Sequence, residues 1–325
     1  MKRIAALLSI GVIGVLLYVQ LHQKTDSDSS GEAVKAVAHG NEFNQDIEQQ
    51  PVASNMTGNP ATTDKNARLE TSLSTAFSQS RDLVAFVDEM KVLADTGDAE
   101  ASRYIYRALE ECALFTINPD THYEFMRQQA ESFQPEASRQ RALALIDRAE
   151  ERCISFSQRA PILPEERMDW LKRAALQGDQ VAQLILAKYA LMDLQSDVRM
   201  DDLTVQKMVK DTLKSGDPEA IFELSNLMGL VADGHPLLSG PYTGTPMHSY
   251  LWALAACDQG YPCGQSNIYL KSSCQNYGQC QYISLEQFFV DQAFAPAQIP
   301  RIQRLRNEIN AMFETGDFKG IFSDG

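Results

Sequence analysis

The chain of 325 residues is 44% hydrophobic and 22% charged, a composition that can supply a sizeable core. Its 29 basic residues are outnumbered by 43 acidic ones, and the formal net charge at pH 7 is −14. Nucleic-acid binding requires clustered Lys and Arg that displace counterions from phosphates, so this charge balance argues against a nucleic-acid partner.

Residues 1–24 predict a transmembrane helix. The basic pair Lys2-Arg3 precedes an apolar run from Ile4 to Leu21. A helix of that length spans about 27 Å, close to the hydrocarbon thickness of a bilayer. Because basic residues stay on the cytoplasmic side, the rest of the chain is expected to be translocated. The prediction is a single-pass protein of a bacterial inner membrane whose body lies in the periplasm.

A cleaved signal peptide is the alternative interpretation of this segment. Secretory signal peptides have an apolar region of about 7–15 residues that is followed by a small-x-small cleavage site. The first good triplet of this kind, Ala36-Val37-Ala38, lies too far downstream to be cut. An uncleaved anchor is therefore favoured, and cleavage would make the protein a secreted one.

Residues 25–67 predict a flexible acidic linker. They are rich in Ser, Thr, Asn, Gln and Gly, and they contain seven Asp or Glu but only two basic residues, Lys35 and Lys65. The few large apolar residues follow no sustained period, which is too little to offset the entropy of an ordered chain.

From residue 68 onward, apolar side chains follow the spacing of α-helices. Ala101, Tyr104, Ile105 and Ala108 fall on one face of one helix, together with Cys112 one turn later. No segment has the β-branched alternation, bounded by hairpin turns, that is typical of strands. Further helical faces are predicted from Leu83, Val84, Val87, Met90 and Ala94, and from Ala142, Leu145, Ala149 and Cys153. Residues 68–325 are therefore predicted to form an all-α body.

A turn motif occurs three times in this body, and it consists of Gly-Asp with an Ala four residues after the Gly. The three copies begin at Gly97, Gly178 and Gly216. The Gly supplies the left-handed residue that ends one helix, the Asp caps the next helix, and the Ala lets two helices approach closely. The copies are 81 and 38 residues apart, or about two units and one unit of stacked helix pairs. The body is therefore predicted to be an α-solenoid of stacked antiparallel helix pairs.

One of these units resembles a known repeat family. The segment Trp170–Gln183, with Leu186 and Tyr189 after it, resembles the Sel-one-like repeat, a relative of the tetratricopeptide repeat. That family's pattern is an aromatic-led helix ending in Ala-Ala-x-x-Gly, followed by Ala-Gln, Leu and Tyr on the second helix. The other two Gly-Asp units are weaker copies, and Tyr250–Cys257 resembles another first helix. The resemblance implies an α-solenoid platform, because members of the family generally scaffold or adapt protein complexes.

Six cysteines lie in the part of the chain that is expected to be translocated, where disulfides are the default. They are Cys112, Cys153, Cys257, Cys263, Cys274 and Cys280. The first two lie on apolar helix faces 41 residues apart, about one repeat, which favours a bridge between neighbouring helices. In the Cys-rich segment 257–280, the spacing favours the local pairs 257–263 and 274–280. A four-Cys zinc site is the alternative, but such sites use closer spacings and free thiolates.

The C-terminal segment predicts capping helices. Ser284–Gln287 is a capping-box opening to a short helix. Ile302, Leu305, Ile309 and Phe313 then give one helical face, from a helix that is expected to cover the last repeat.

An irregular stretch, residues 233–247, is a candidate binding loop. It lies between predicted repeat units and contains proline and aromatic residues, and long loops on one face of a solenoid often carry binding. The candidate binding residues are His235 and Tyr242, with His248 directly after the loop. The alternative is an ordinary connection between repeats.

No residue pattern indicates a catalytic, cofactor or metal site. Consecutive acidic pairs such as Glu150-Glu151 do not face each other on a helix, and the chain has neither a His-Glu-x-x-His motif nor a glycine-rich phosphate loop. The sequence therefore predicts a non-enzymatic, membrane-tethered interaction or scaffold module that binds a protein or peptide and needs no cofactor. The alternative is an envelope enzyme of the hydrolase type with an unrecognised active site.

Overall fold

The structure is a computed structural model that describes residues 66–192, 202–229 and 240–321. The predicted transmembrane helix and almost all of the predicted linker lie outside these residues, and so does His235. Within the described ranges, no helix combines the length and the apolar character that are needed to cross a bilayer.

Thirteen α-helices form the regular structure of the described residues, and the β-structure in this part of the chain is a single bridge between Gly264 and Ser284. The predicted all-α fold is therefore confirmed. The helices are α1 Asn66–Gln79, α2 Leu83–Asp95, α3 Ala99–Ile117, α4 His122–Ala130, α5 Glu136–Cys153, α6 Pro164–Leu176, α7 Gln180–Met192, α8 Asp202–Ser215, α9 Pro218–Met228, α10 Pro246–Asp258, α11 Ile268–Tyr277, α12 Leu285–Gln292 and α13 Ile299–Thr315.

The Gly-Asp motifs form the turns that join α2 to α3, α6 to α7 and α8 to α9. Gly97, Gly178 and Gly216 have φ angles of 98°, 99° and 67°, in the left-handed region that favours glycine. Each following Asp accepts a hydrogen bond from a backbone amide at the start of the next helix. These bonds are Ala101 to Asp98 at 2.9 Å, Ala182 to Asp179 at 2.7 Å, and Glu219 to Asp217 at 2.9 Å.

The alanine of each motif lies inside the core. Ala101, Ala182 and Ala220 are all 0% exposed. Because a single methyl group takes little space, the second helix of each pair can pack closely on its neighbours, as the motif predicted.

The helix pairs pack side by side in chain order. Helix α2 packs on α3, α6 on α7 and α9 on α10, while α3 contacts α6 and α7 contacts α9. Helix α8 lies beside both α7 and α9. This arrangement agrees with a series of helical repeats.

The chain between the first two turns departs from that series. The 81-residue spacing predicted about two units in the stack, but α3 contacts α6 directly. Helices α4 and α5 instead form a hairpin that packs on α11, far along the chain. Gln129 donates a hydrogen bond to the carbonyl of Asn276 at 3.0 Å, and Arg141 donates one to the carbonyl of Cys280 at 2.8 Å. The extra residues thus join segments that are 147 and 139 positions apart in the chain.

The last helix covers the stack as predicted. Helix α13 packs on α10, and its Ile302, Leu305 and Ile309 are 4%, 7% and 0% exposed. Ser284 caps α12 by accepting a hydrogen bond from the Gln287 amide at 3.2 Å. Helices α12 and α13 therefore lie where the sequence predicted capping helices.

All six cysteines form disulfides, in the three pairs that the spacing favoured. The bridges are Cys112–Cys153, Cys257–Cys263 and Cys274–Cys280, with Cα–Cα distances of 5.4, 5.7 and 4.4 Å. The first joins α3 to the end of α5, and the others close the turns after α10 and α11. The zinc alternative is wrong for this structure, because no thiolate remains free to bind a metal ion. Three disulfides indicate an oxidising compartment.

Candidate functional site

Tyr242 and His248 hold the described end of the candidate loop onto α10 and α13. Tyr242 donates a hydrogen bond from its hydroxyl to the Glu308 carboxylate at 2.9 Å, and its carbonyl accepts one from Trp252 Nε1 at 2.8 Å. His248 is 5% exposed, and its Nδ1 lies 2.9 Å from the hydroxyl of Thr245. Burial lowers the pKa of His248. These contacts anchor the loop, and they leave little of the imidazole open to a ligand.

A buried ion network lies where the starts of α3, α7 and α9 meet, and we call it the arginine network. The side chain of Arg103 is 5% exposed, and its Nε donates to Asp179, the cap of α7, at 2.9 Å. Its two Nη atoms lie 2.9 Å from Glu219, in the first turn of α9, and 3.4 Å from Glu100, in the first turn of α3. Arg107, one turn further along α3, pairs with the same Glu219. Charged side chains thus join the N-terminal ends of three helices.

Opposite charges set the protonation states of this network. Burial alone lowers the pKa of Arg103, but Glu219 and Asp179 raise it above its usual value. Burial alone raises the pKa of Glu219, but Arg107 and Arg103 bring it below its usual range. Both groups are therefore charged at neutral pH, and carboxylates at helix N-termini gain further from the free N–H groups there.

Four tyrosines come together, and we call them the tyrosine cluster. Tyr106 lies on α3, Tyr189 on α7, Tyr261 in the turn after α10, and Tyr269 on α11. The hydroxyls of Tyr106 and Tyr189 are 3.3 Å apart. The ring of Tyr261 stacks on Phe222 of α9 with the centroids 4.0 Å apart, and Tyr269 meets the same phenylalanine edge-on at 5.6 Å. Tyr106 is buried, whereas the other three tyrosines are half-buried. The cluster therefore borders solvent.

Glu223, the neighbour of Phe222 on α9, supplies a carboxylate to this cluster. Burial raises the pKa of Tyr106, Tyr261 and Tyr269, and the Glu223 carboxylate raises the pKa of each further, although Arg107 lowers the pKa of Tyr261. The glutamate is half-buried. Among the residues that the structure describes, none donates a hydrogen bond to its carboxylate or forms an ion pair with it. The cluster thus combines neutral phenols with a nearby carboxylate and the Arg107 guanidinium.

An ion pair and an ammonium group border the cluster. Glu110 of α3 pairs with Arg167 of α6. The ammonium of Lys188 lies 5.6 Å from the centroid of the Tyr189 ring. The surface around the phenols can therefore offer hydrogen bonds, aromatic faces and charge to a ligand. In the described ranges no group of three or more His, Cys, Asp or Glu side chains could hold a metal ion.

Sequence analysis did not single out this site. Its residues come from four separate elements, so no local spacing brings them together on the printed chain. The available signal was the presence of a tyrosine, Tyr106 or Tyr189, on the second helix of each of two repeat units.

Comparisons with known proteins give no relative: no protein-family model, curated protein or solved structure matches this chain.

Proposed function

We propose that the protein is a membrane-tethered interaction module of the cell envelope and that its helical body binds a protein or peptide partner. The observation that carries the proposal is the convergence of half-buried phenols and a carboxylate, from three helices and a turn, at one border with solvent. Tyrosine suits such a surface because its ring supplies contact area and its hydroxyl supplies a hydrogen bond.

The proposed platform is a solenoid of Sel-one-like helix pairs. The capped Gly-Asp turns, the buried alanine of each unit and the side-by-side packing support this interpretation. In repeat proteins of this type, each unit contributes side chains to a shared surface, which matches the origin of Tyr106, Tyr189 and Glu223 on successive second helices.

The proposed location is the periplasmic side of a bacterial inner membrane. The three disulfides support an oxidising compartment, and the apolar run 4–21 behind Lys2-Arg3 supplies the anchor in this proposal. If the run is cleaved, the same body is secreted instead.

Site-specific photo-crosslinking in intact cells tests the function. A photoreactive amino acid replaces Lys188, beside the tyrosine cluster, or Arg81, whose side chain is 77% exposed between α1 and α2. We expect one light-dependent adduct of defined mass from position 188 and none from position 81. The same amino acid is also placed at Glu110, which borders the cluster too. If neither position 188 nor position 110 gives an adduct, the support for a partner on this face is removed.

A further inference from the structure

We propose that the place where α3 ends and α6 begins is a docking surface for an apolar segment of a partner protein with lysine or arginine on either side. This surface includes no residue of the tyrosine cluster, so the inference goes beyond the proposed function.

Helices α3 and α6 run antiparallel, and three contacts between them fix which residues lie side by side. In order along α3, the contacts are Ser102 to Gln177 at 2.8 Å, the ion pair of Glu110 with Arg167, and the Ile162 amide to the Thr116 hydroxyl at 3.1 Å. Leu114 and Leu163 both lie between the second and the third of these contacts. The two leucines therefore meet at one end of the helix pair.

The side chains at this end are apolar but remain open to solvent. Leu114, Ile117 and Leu163 are 52%, 69% and 57% exposed, and we call these three residues the apolar end patch. Ile117 follows Leu114 by three residues, so both lie on one face of α3. Pro161 and Pro164, on either side of Leu163, are exposed as well. Adjoining exposed apolar residues are typical of a surface that another molecule covers.

Carboxylates without a partner border the apolar end patch. Glu165 and Glu166 lie in the first turn of α6, directly after Leu163 and Pro164, and Asp120 follows Ile117 by three residues. All three acids are exposed. Within the described part of the chain, no residue donates a hydrogen bond to these side chains or forms an ion pair with them.

The two arginines closest to Leu163 along the chain are both paired. Arg167, four residues after Leu163, pairs with Glu110, and Arg159, four residues before it, pairs with Asp88 of α2 at 3.0 Å. Their charges are therefore compensated within the protein, and the unpaired acids make the border of the patch negative.

This negative border selects among the molecules that could cover an apolar surface. A bilayer that contains anionic lipids would be repelled by the carboxylates. A second copy of this chain would also be repelled, since each copy has a formal net charge of −14. A protein segment with apolar side chains between basic residues complements both the patch and its border.

Three dye-labelled peptides test this surface on the full chain in phosphatidylcholine nanodiscs, with empty nanodiscs as the blank. The first is acetyl-Lys-Lys-Leu-Ile-Leu-Lys-Lys-amide, the second has Glu in place of each Lys, and the third has Ser-Gly-Ser in place of the apolar centre. Fluorescence anisotropy measures their binding. The variants are Leu163→Ser and, as a matched control, Leu176→Ser, which removes an 89% exposed leucine at the other end of α6.

We expect the first peptide to bind at least about tenfold more tightly than either of the others, because only it matches both the charge and the apolar side chains. Leu163→Ser should weaken its binding about fivefold to tenfold without lowering the Tm, since serine is favourable directly before a helix. Leu176→Ser should bind as the wild type does. Equal binding of the first peptide and either of the others, or no binding of any, overturns the inference, and so does full binding by Leu163→Ser.

A photoreactive leucine analogue at position 163 identifies what covers the patch. We expect an adduct with the first peptide. An adduct with lipid or with a second copy of the chain in its place overturns the inference. The crosslinks from position 188 in intact cells are a separate measurement, so the proposed function can stand when this inference fails, and the reverse also holds.

Discussion

Arg103 lies six residues after the glycine of its repeat, a position that Leu184 and Phe222 occupy in the other two repeats. All three side chains are at least nine-tenths buried, so the first repeat places a charge where the others place apolar atoms. The charge is compensated by Asp179 and Glu219, which belong to those other repeats. Within its own repeat only the longer pair with Glu100, at 3.4 Å, is available, so most of the compensation comes from the neighbouring units.

Arg103→Met should therefore lower the free energy of unfolding by about 3–5 kcal/mol, because it leaves Asp179 buried without its cation and Glu219 with Arg107 alone. The comparison is Arg81→Met, which removes an exposed pair with Glu151 and should change stability by less than about 1 kcal/mol. Urea unfolding followed by circular dichroism measures both variants. Similar losses in the two would mean that the buried network contributes no more than a surface pair.

His248 should make the stability of the protein depend on pH. Burial lowers the folded-state pKa of this residue below the unfolded value of 6.5, and Arg301 lowers it further. The unfolded chain then takes up a proton that the folded chain does not, so this contribution to stability is full above that value and is lost as the pH falls.

The variant His248→Gln should show a smaller fall in Tm than the wild type when the pH is lowered from about 7 to about 5. The slope of Tm against pH is the informative quantity, since the substitution also changes Tm at neutral pH. Parallel slopes in the two proteins would contradict the assignment.

Short sequence motifs predicted the helix ends, the caps and the buried helix faces, because each of these depends on residues that are close together in the chain. The left-handed glycines, the capping aspartates and the helical spacing of apolar residues all act within one or two turns, and each appears where the sequence predicted it. The α4–α5 hairpin and the tyrosine cluster depend on contacts between distant segments. Nothing in the spacing of α4 and α5 showed that α11 would pack on them, so the sequence predicted another unit in the series.

The repeat turns give a test at this scale. Gly178→Ala should destabilise the protein by about 1–2 kcal/mol, because φ is 99° there although no atom lies within 4 Å of the added methyl group. Gly264→Ala is the matched control, since its φ is ordinary and the nearest atom to the added methyl lies 4.0 Å away. Urea midpoints compare the two, and an equal effect would show that the left-handed turn carries no special strain.

At the scale of the whole molecule, the disulfides differ in how much chain they close. Cys112–Cys153 closes 41 residues and Cys257–Cys263 closes 6. Loop-closure entropy then predicts that replacing both cysteines by alanine costs about 4 kcal/mol for the first pair and about 2 kcal/mol for the second. Urea unfolding of the two double variants measures this difference. A larger loss from the shorter loop would point to a contribution from packing instead.

The hydrogen bonds from the α4–α5 hairpin to α11 and to the turn after it join residues 147 and 139 positions apart. In an open repeat array each unit touches only its neighbours, so folding can begin in any unit and spread along the chain. Here α4 and α5 lack part of their packing until α11 has been synthesised and packs on them. Folding should thus be slow for an all-helical protein, since high contact order slows folding, and unfolding should be a single transition. Units could not be added to or removed from the middle of this chain, as they can in open arrays, without separating the hairpin from α11.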